Sequence, residues 1–494
     1  MSLPLPPQFG RCLPILRTPP LEQPGPRSRA WLRRLSAVES INTTYAGDAR
    51  GDGAPIAWTA ARGANVLDAD GNCFIDGTAG FAVATLGHAN PRILRAAAAQ
   101  AAELTHGLGD VHPTPVKVRL LETLARLCPQ PAHGPPIAWK SILALSGAEA
   151  VVAALKTACV AAGKPGVLAF HGGYHGLTHG ALLATARPIF RRPVAGQLAP
   201  VTRFAAWPDR WEALRAGRRA TSPAALREAA LREVARLLAA GEHSRTPIGA
   251  LIVEPVQGRG GDRAPPPGFL AGLRRLADRA GALLIFDEIY CGLGRTGRLF
   301  AAEHEQVLPD LFCLGKALAG GFPLSACVGR AAVIDAWGPS QGEALHTSTF
   351  LGHPVGCAAA LASLAQLRSP AFLRSVRERG GRFFAALRKR LQKIPQVAEV
   401  RGLGWIGAVE LVQDRRTGQP DTARALAAVA GCLARGVILL PCGDANHCLS
   451  ITPPACLTDA QARWVLDTIV EAIASGTAAA TAAAAAGAGA AAPR

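Results

Sequence analysis

Two short apolar runs end in residues able to do chemistry together. Leu311-Phe312-Cys313-Leu314-Gly315 runs into Lys316, and Ala282-Leu283-Leu284-Ile285-Phe286 runs into Asp287. An amine placed at the end of a buried segment can form a Schiff base with a carbonyl, and a carboxylate there can hold a pyridinium nitrogen. Those are the two protein groups that pyridoxal phosphate chemistry needs most. Ser146, His171 and Glu254 close three similar runs. In an open parallel sheet, ligands bind outside the carboxyl ends of the strands. The five residues are therefore expected to converge on one site.

The elements that would position them are read from the same runs. Ser141–Ser146, Val167–Phe170, Ala250–Glu254, Leu283–Asp287 and Leu311–Leu314 are short, apolar and separated by helical stretches. Such runs suit strands buried on both faces, which predicts an α/β domain with a mostly parallel sheet over residues 90–338. Before it, residues 66–76 read as a hairpin turning at Asp70-Gly71-Asn72. After it, helices over 355–368 and 371–392 and strand-like pieces at 405–411 and 437–440 predict a smaller α+β domain. Its pieces are assigned to residues 29–89 and 339–475. Residues 1–28 are Pro-rich and read as an extended arm. Residues 476–494 are Ala/Gly-rich and read as a disordered tail, with no large side chain to bury.

Three local motifs have ordinary explanations as well as chemical ones. Ser146-Gly147-Ala148-Glu149 is a capping box, a common way to start a helix, yet Gly147 and Ala148 also leave room for a phosphate at the helix N-terminus. Tyr174, one of three tyrosines, comes after a strand and a Gly-Gly turn, where it is either a surface residue or a platform for a flat ring. Gly292-Leu293-Gly294-Arg295-Thr296-Gly297 fits the dinucleotide-binding string, but no long helix comes after it and the acid, Asp287, precedes the glycines instead of trailing them. The segment is expected to be a tight turn structure.

Composition excludes other classes. The net charge is +18, but only seven lysines occur, the arginines are scattered and aromatics make up 5%. Without a basic block or aromatics to stack on bases, nucleic-acid binding is not expected. The twelve cysteines include no C-x-x-C pair and no zinc-type spacing. Most, such as Cys159, Cys313, Cys327 and Cys357, sit in apolar runs and read as buried free thiols of a reducing compartment, with no metal site. No stretch reads as a membrane span. The prolines before Glu22 spoil both a signal peptide and an amphipathic transit helix.

Taken jointly, these segments resemble the class III aminotransferases, fold-type I pyridoxal phosphate enzymes that include ornithine and 4-aminobutyrate aminotransferases. The resemblance rests on Asp70-Gly71-Asn72 with Leu86-Gly87-His88, on Ser146–Glu149, on Tyr174-His175-Gly176, and on Glu254-Pro255-Val256-Gln257-Gly258. It continues through Asp287-Glu288-Ile289 to Gly297, Leu314-Gly315-Lys316 to Pro323, and Thr347-Ser348-Thr349-Phe350. It covers about residues 30–472. It implies a large cofactor domain and a small domain built from both chain ends. It implies a cytoplasmic homodimer that transfers an amino group from an amine or ω-amino acid to a 2-oxo acid by a ping-pong route, with pyridoxal 5'-phosphate as cofactor. Lys316 would form the Schiff base and shuttle the proton, and Asp287 would keep the ring nitrogen protonated. Tyr174 and Ile289 would cover the two ring faces. Gly147 and Ala148 would hold the phosphate through backbone amides, and Thr349 would reach the phosphate of the partner subunit.

Two positions depart from the family pattern. Arg259 stands where ornithine-type enzymes have a glutamate, and Ser450 aligns with their carboxylate-binding arginine. Arg259 is therefore a candidate to grip the substrate carboxylate, its ordinary reading being a solvated loop residue. Tyr290 replaces a glutamine expected near the ring hydroxyl. An aminomutase, racemase or decarboxylating transaminase would carry the same cofactor residues. A non-catalytic binding protein is the reading from a different class.

Overall fold

Alternation within the strands sets the architecture of the larger of two units. In Leu283–Asp287, Leu284 and Phe286 enter a core on one face of a sheet and Ile285 enters a second core on the other. Gly166–Phe170, Ile248–Val253 and Leu311–Leu314 divide their side chains in the same way. A sheet with two apolar faces must be covered twice, and helices do so. Gly147–Ala162 buries Val151, Ala154 and Ala158 in one core. Pro91–Glu103, Pro115–Leu127, Pro223–Glu242, Phe269–Ala280 and Pro354–Leu367 supply the other.

A computed structural model describes residues 5–18, 23–45, 55–218, 222–242 and 244–488. The larger unit comprises residues 81–86 and 90–378. Its seven-stranded sheet runs in the order Trp139–Ala144, Ser325–Arg330, Leu311–Leu314, Leu283–Asp287, Ile248–Val253, Gly166–Phe170, Thr202–Ala205. All neighbours pair in parallel except Ser325–Arg330, which is antiparallel to both of its own. The expected α/β architecture is present. Two strands escaped the sequence reading: Ser325–Arg330, built from small residues, and Thr202–Ala205 at the edge.

The smaller unit joins residues 1–80 and 87–89 to residues 379–494. One four-stranded sheet holds Trp58–Arg62, Asn65–Asp68, Cys73–Asp76 and, from the far end of the chain, Val437–Ile438. The other holds Val397–Leu403, Ile406–Leu411, Cys448–Ile451 and Leu440–Cys442. The N-terminal segment is tied to this unit. Ile15 bridges Cys73, and the amides of Arg17 and Thr18 donate to Asn72 Oδ1 at 2.7 and 2.9 Å.

Three expectations change. The larger unit extends to Glu378, not to residue 338, because the Pro354–Leu367 helix puts Cys357, Ala360, Leu364 and Leu367 into its core. The helix that begins at Asp459 runs to Ala488, through most of the segment read as a disordered tail. Alanine is the best helix former, so an alanine run extends a helix already nucleated upstream. Residues 489–494 lie outside the described residues. Among the cysteines expected to be buried, Cys313, Cys327 and Cys357 are, but Cys159 is exposed on the outer side of its helix. No helix among the described residues is long and apolar enough to cross a membrane.

Candidate active site

The carboxyl ends of the parallel strands carry the site, all of it within the larger unit. The Asp287 carboxylate is buried at the end of its strand and uses both oxygens. Oδ1 accepts the Ile289 amide at 3.1 Å, and Oδ2 lies 2.7 Å from His175 Nδ1. Each carboxylate oxygen has two lone pairs, so a further donor can still be accepted. His175 is buried as well. Burial alone would lower its pKa, but the hydrogen bond and charge of Asp287, with the charge of Glu254, outweigh that and hold it above its ordinary value.

Glu254 ends the next strand. Its Oε1 accepts the Tyr174 amide at 3.0 Å and its Oε2 accepts the Gly258 amide at 2.9 Å. Burial pushes its pKa up to about 7, with the charge of His175 and these two amides opposing the rise. The carboxylate thus ties the Tyr174 loop to the Pro255–Gly258 segment.

Lys316 lies just beyond the neighbouring strand and is half-buried. Its φ of 44° places a residue with a side chain in the left-handed region. Nζ lies 5.0 Å from the centre of the Tyr290 ring. Burial brings its pKa below the usual lysine range, against the pull of Asp287 and Glu254. A larger share of neutral amine is what a nucleophile or a base needs.

The Gly147–Ala162 helix aims its N-terminus at the same place. Ser146 Oγ caps the Glu149 amide and Glu149 Oε2 returns to the Ser146 amide at 3.0 Å, which completes the capping box. The Gly147 and Ala148 amides fall in the first turn, where no helical carbonyl can reach them. A Cβ on Gly147 would stand 3.0 Å from Ile289 Cδ1, and one on Gly176 would stand 2.5 Å from Ala148 Cβ. Gly176 also has φ +118°, so only glycine fits there. The helix start, the Tyr174 loop and the Asp287–Ile289 turn therefore touch one another.

The structure brings Asp287, Lys316, Tyr174, Ile289, Gly147 and Ala148 together, whereas His171, expected to converge with them, does not join them. His171 is exposed, with its ring against Phe204. The chain turns back through Gly172 and Gly173 before His175 reaches Asp287. Thr349 is exposed in a turn. Arg259 is half-buried and, with Arg187, opposes the burial that raises the Tyr174 pKa. Arg187 Nη1 donates to the Arg259 carbonyl at 3.1 Å. The glycine string is a tight turn, as expected: Leu293, Gly294 and Gly297 all have positive φ. Glu288 secures the short helical turn at Ala301–His304 by accepting the Ala301 and Ala302 amides at 2.6 and 2.8 Å.

The class III aminotransferase family model matches residues 46–473. The chain belongs to the class III aminotransferases. It is 34% identical over 415 residues to the 4-aminobutyrate aminotransferase of Escherichia coli, covering 84% of this chain and 92% of that one. It is 34% identical over 420 residues to the 5-aminovalerate aminotransferase of Pseudomonas putida, covering 85% and 94%. Among solved structures, it resembles an amine transaminase from an uncultivated Pseudomonas species in its pyridoxal phosphate-bound form. There the TM-score is 0.78 at 28% identity, over 88% of this chain and 98% of that one. The protein is thus a pyridoxal phosphate-dependent transaminase that moves an amino group from a donor to a 2-oxo acid in two alternating half-reactions.

The residues present fit that cofactor. This aminotransferase has two first-turn amides that no helical carbonyl can reach, beside a glycine that tolerates no side chain, a carboxylate with lone pairs to spare, and a lysine held below its usual pKa.

Proposed function

We propose that the protein is a cytoplasmic homodimer acting on ω-amino acids, with Lys316 and Asp287 as its catalytic residues. The observation that carries this reading is the placement of Lys316 and Asp287 beyond adjacent parallel strands, with His175 locked onto the carboxylate. The names of the two relatives, which specify 4-aminobutyrate and 5-aminovalerate, support the donor class.

When bound, pyridoxal phosphate supplies an electron sink for the charge left on the donor carbon. Lys316 Nζ would take the proton from that carbon and return one to the cofactor carbon C4′ within the same half-reaction, the transfer running in reverse with the 2-oxo acid, aided by its lowered pKa. Asp287 would accept a hydrogen bond from the ring nitrogen and keep that proton in place, while His175 holds its carboxylate in position. The Gly147 and Ala148 amides would hold the phosphate at the helix N-terminus. Tyr174 and Ile289 would cover the ring faces and exclude water. Thr349, exposed in one chain, would reach the phosphate of the partner subunit.

The test is spectroscopic. The yellow absorption of the purified enzyme is expected to bleach with 4-aminobutyrate or 5-aminovalerate and return with a 2-oxo acid. A band that no ω-amino acid bleaches overturns the donor assignment.

Arg259 takes the carboxylate of the donor. Ser450, buried in its sheet, has no cation to offer. Arg259→Ala is expected to raise KM about ten- to a hundredfold for ω-amino acids and 2-oxo acids, the worth of a charge-assisted hydrogen bond. Donor amines that lack a carboxylate should be unaffected. Equal changes for both donor classes would show that Arg259 only supports the loop.

A further inference from the structure

The second sheet of the smaller unit holds a cluster that the transamination site does not use. Glu410, Cys448 and Cys442 lie in one rung across three strands, since Glu410 pairs with Cys448 and Cys448 pairs with Cys442. Registered partners point to the same face of a sheet, and all three are buried. His447 precedes Cys448 and is buried too. The donor atoms of Glu410, His447 and Cys448 all lie within 4.8 Å of one another. Cys442 and Cys448 pack together with Ala408 in one buried cluster.

We propose that Cys442 Sγ, Cys448 Sγ and His447 Nδ1 bind a divalent zinc-type cation, with Glu410 as the positioning carboxylate. The two ring nitrogens of His447 differ in their surroundings. Nε2 lies 3.2 Å from Glu410 Oε1, whereas Nδ1 is buried, and the ring's other polar neighbour is the Cys448 thiol. A ring nitrogen fixed by a carboxylate, with the other turned to the ligand, is how metal-binding histidines are oriented. A Cβ on Gly443 would stand 3.0 Å from His447 Nδ1 and 3.1 Å from Cys448 Sγ, so both atoms border the space that this glycine leaves open.

The charges also close. Arg401 Nη1 lies 2.6 Å from Glu410 Oε2 and neutralises it, and Arg401 Nη2 donates to Cys448 Sγ at 3.4 Å. Two thiolates then balance a divalent cation, and neutral imidazole adds nothing. Two sulfurs and one imidazole are a ligand set that zinc accepts, with water completing the tetrahedron. Binding releases the thiol protons of Cys442 and Cys448 and any proton on His447 to solvent. The cysteine spacing seemed to rule a metal out. The site escapes such a search because the sheet register, not a sequence motif, brings Cys442 to Cys448.

The test uses the full-length holoenzyme. It is stripped with a chelator under reducing conditions, reloaded with zinc and freed of excess, and its metal is counted by mass spectrometry. About one zinc ion per chain is expected, raising the unfolding temperature of the wild type. Cys442→Ser, which keeps the volume of the side chain, and Cys448→Ser are each expected to weaken zinc binding by about tenfold or more and to remove the thermal shift. No retained zinc in the wild type overturns the proposal. So does equal zinc in the wild type and both variants, or a Cys442–Cys448 disulfide that re-forms in the presence of zinc.

Discussion

Lys316→Ala is expected to lower transamination by about 10³-fold or more, since it removes the group that moves the proton at the reacting carbon. The effect should fall on the rate of each half-reaction and not on substrate binding. A second readout separates chemistry from misfolding. Borohydride treatment of the wild type should leave the cofactor mass on the peptide that contains Lys316, and the variant should show none while unfolding at a similar temperature. The surroundings explain why no other lysine substitutes. Of the seven in the chain, Lys316 is the one beyond the Leu311–Leu314 strand, held at positive φ with Nζ over Tyr290. Retention of more than about a tenth of the rate by Lys316→Ala would exclude Lys316 as the base, given the usual worth of a positioned acid–base group.

Asp287→Asn should cost about 10²–10³ in kcat, the usual scale for losing one preorganised electrostatic partner. An amide is nearly the same size, so Ile289 and His175 keep their places, but the negative charge that holds the ring nitrogen protonated is gone. Asp287→Ala should cost more. It also strands His175, because removing one member of a buried pair typically destabilises by about 3–5 kcal/mol. A cofactor analogue made permanently cationic by N-methylation of the ring should restore part of the rate in Asp287→Ala. No rescue, with the analogue shown to bind, would mean that the carboxylate acts through packing alone.

The sequence made the ends of the central strands easy to find, because apolar runs buried on both faces stop abruptly at the carboxyl edge of the sheet. Asp287 and Lys316 stand out for that reason. His175 does not. The residue that ends its strand is His171, and only the turn through Gly172 and Gly173 decides that the later histidine faces inward. Glu254 was visible as a strand end, but its work in tying two loops together depends on amides from Tyr174 and Gly258 that no pattern of residue types records. The boundary near residue 378 was missed because the Pro354–Leu367 helix is apolar on most sides, which tells a reader that it is buried but not in which core. The cysteine–histidine cluster depended on strand register, which spacing along the chain does not encode.

The smaller unit is closed by bonds between the first and last parts of the chain. Val437–Ile438 completes the sheet of Cys73–Asp76, and Gln461 Nε2 donates to Asn65 Oδ1 across 396 residues. During synthesis, its N-terminal strands therefore emerge long before their partners exist. At about 5–20 residues per second, Asn65 waits roughly 20–80 s for Gln461 to be made. Throughout that interval the Trp58–Asp76 strands expose an unfilled edge on the ribosome, while the larger unit, encoded between the two halves, can fold first. The smaller unit thus cannot close until nearly the whole chain has been made, and a nascent chain released early would leave its N-terminal hairpin with an unpaired edge.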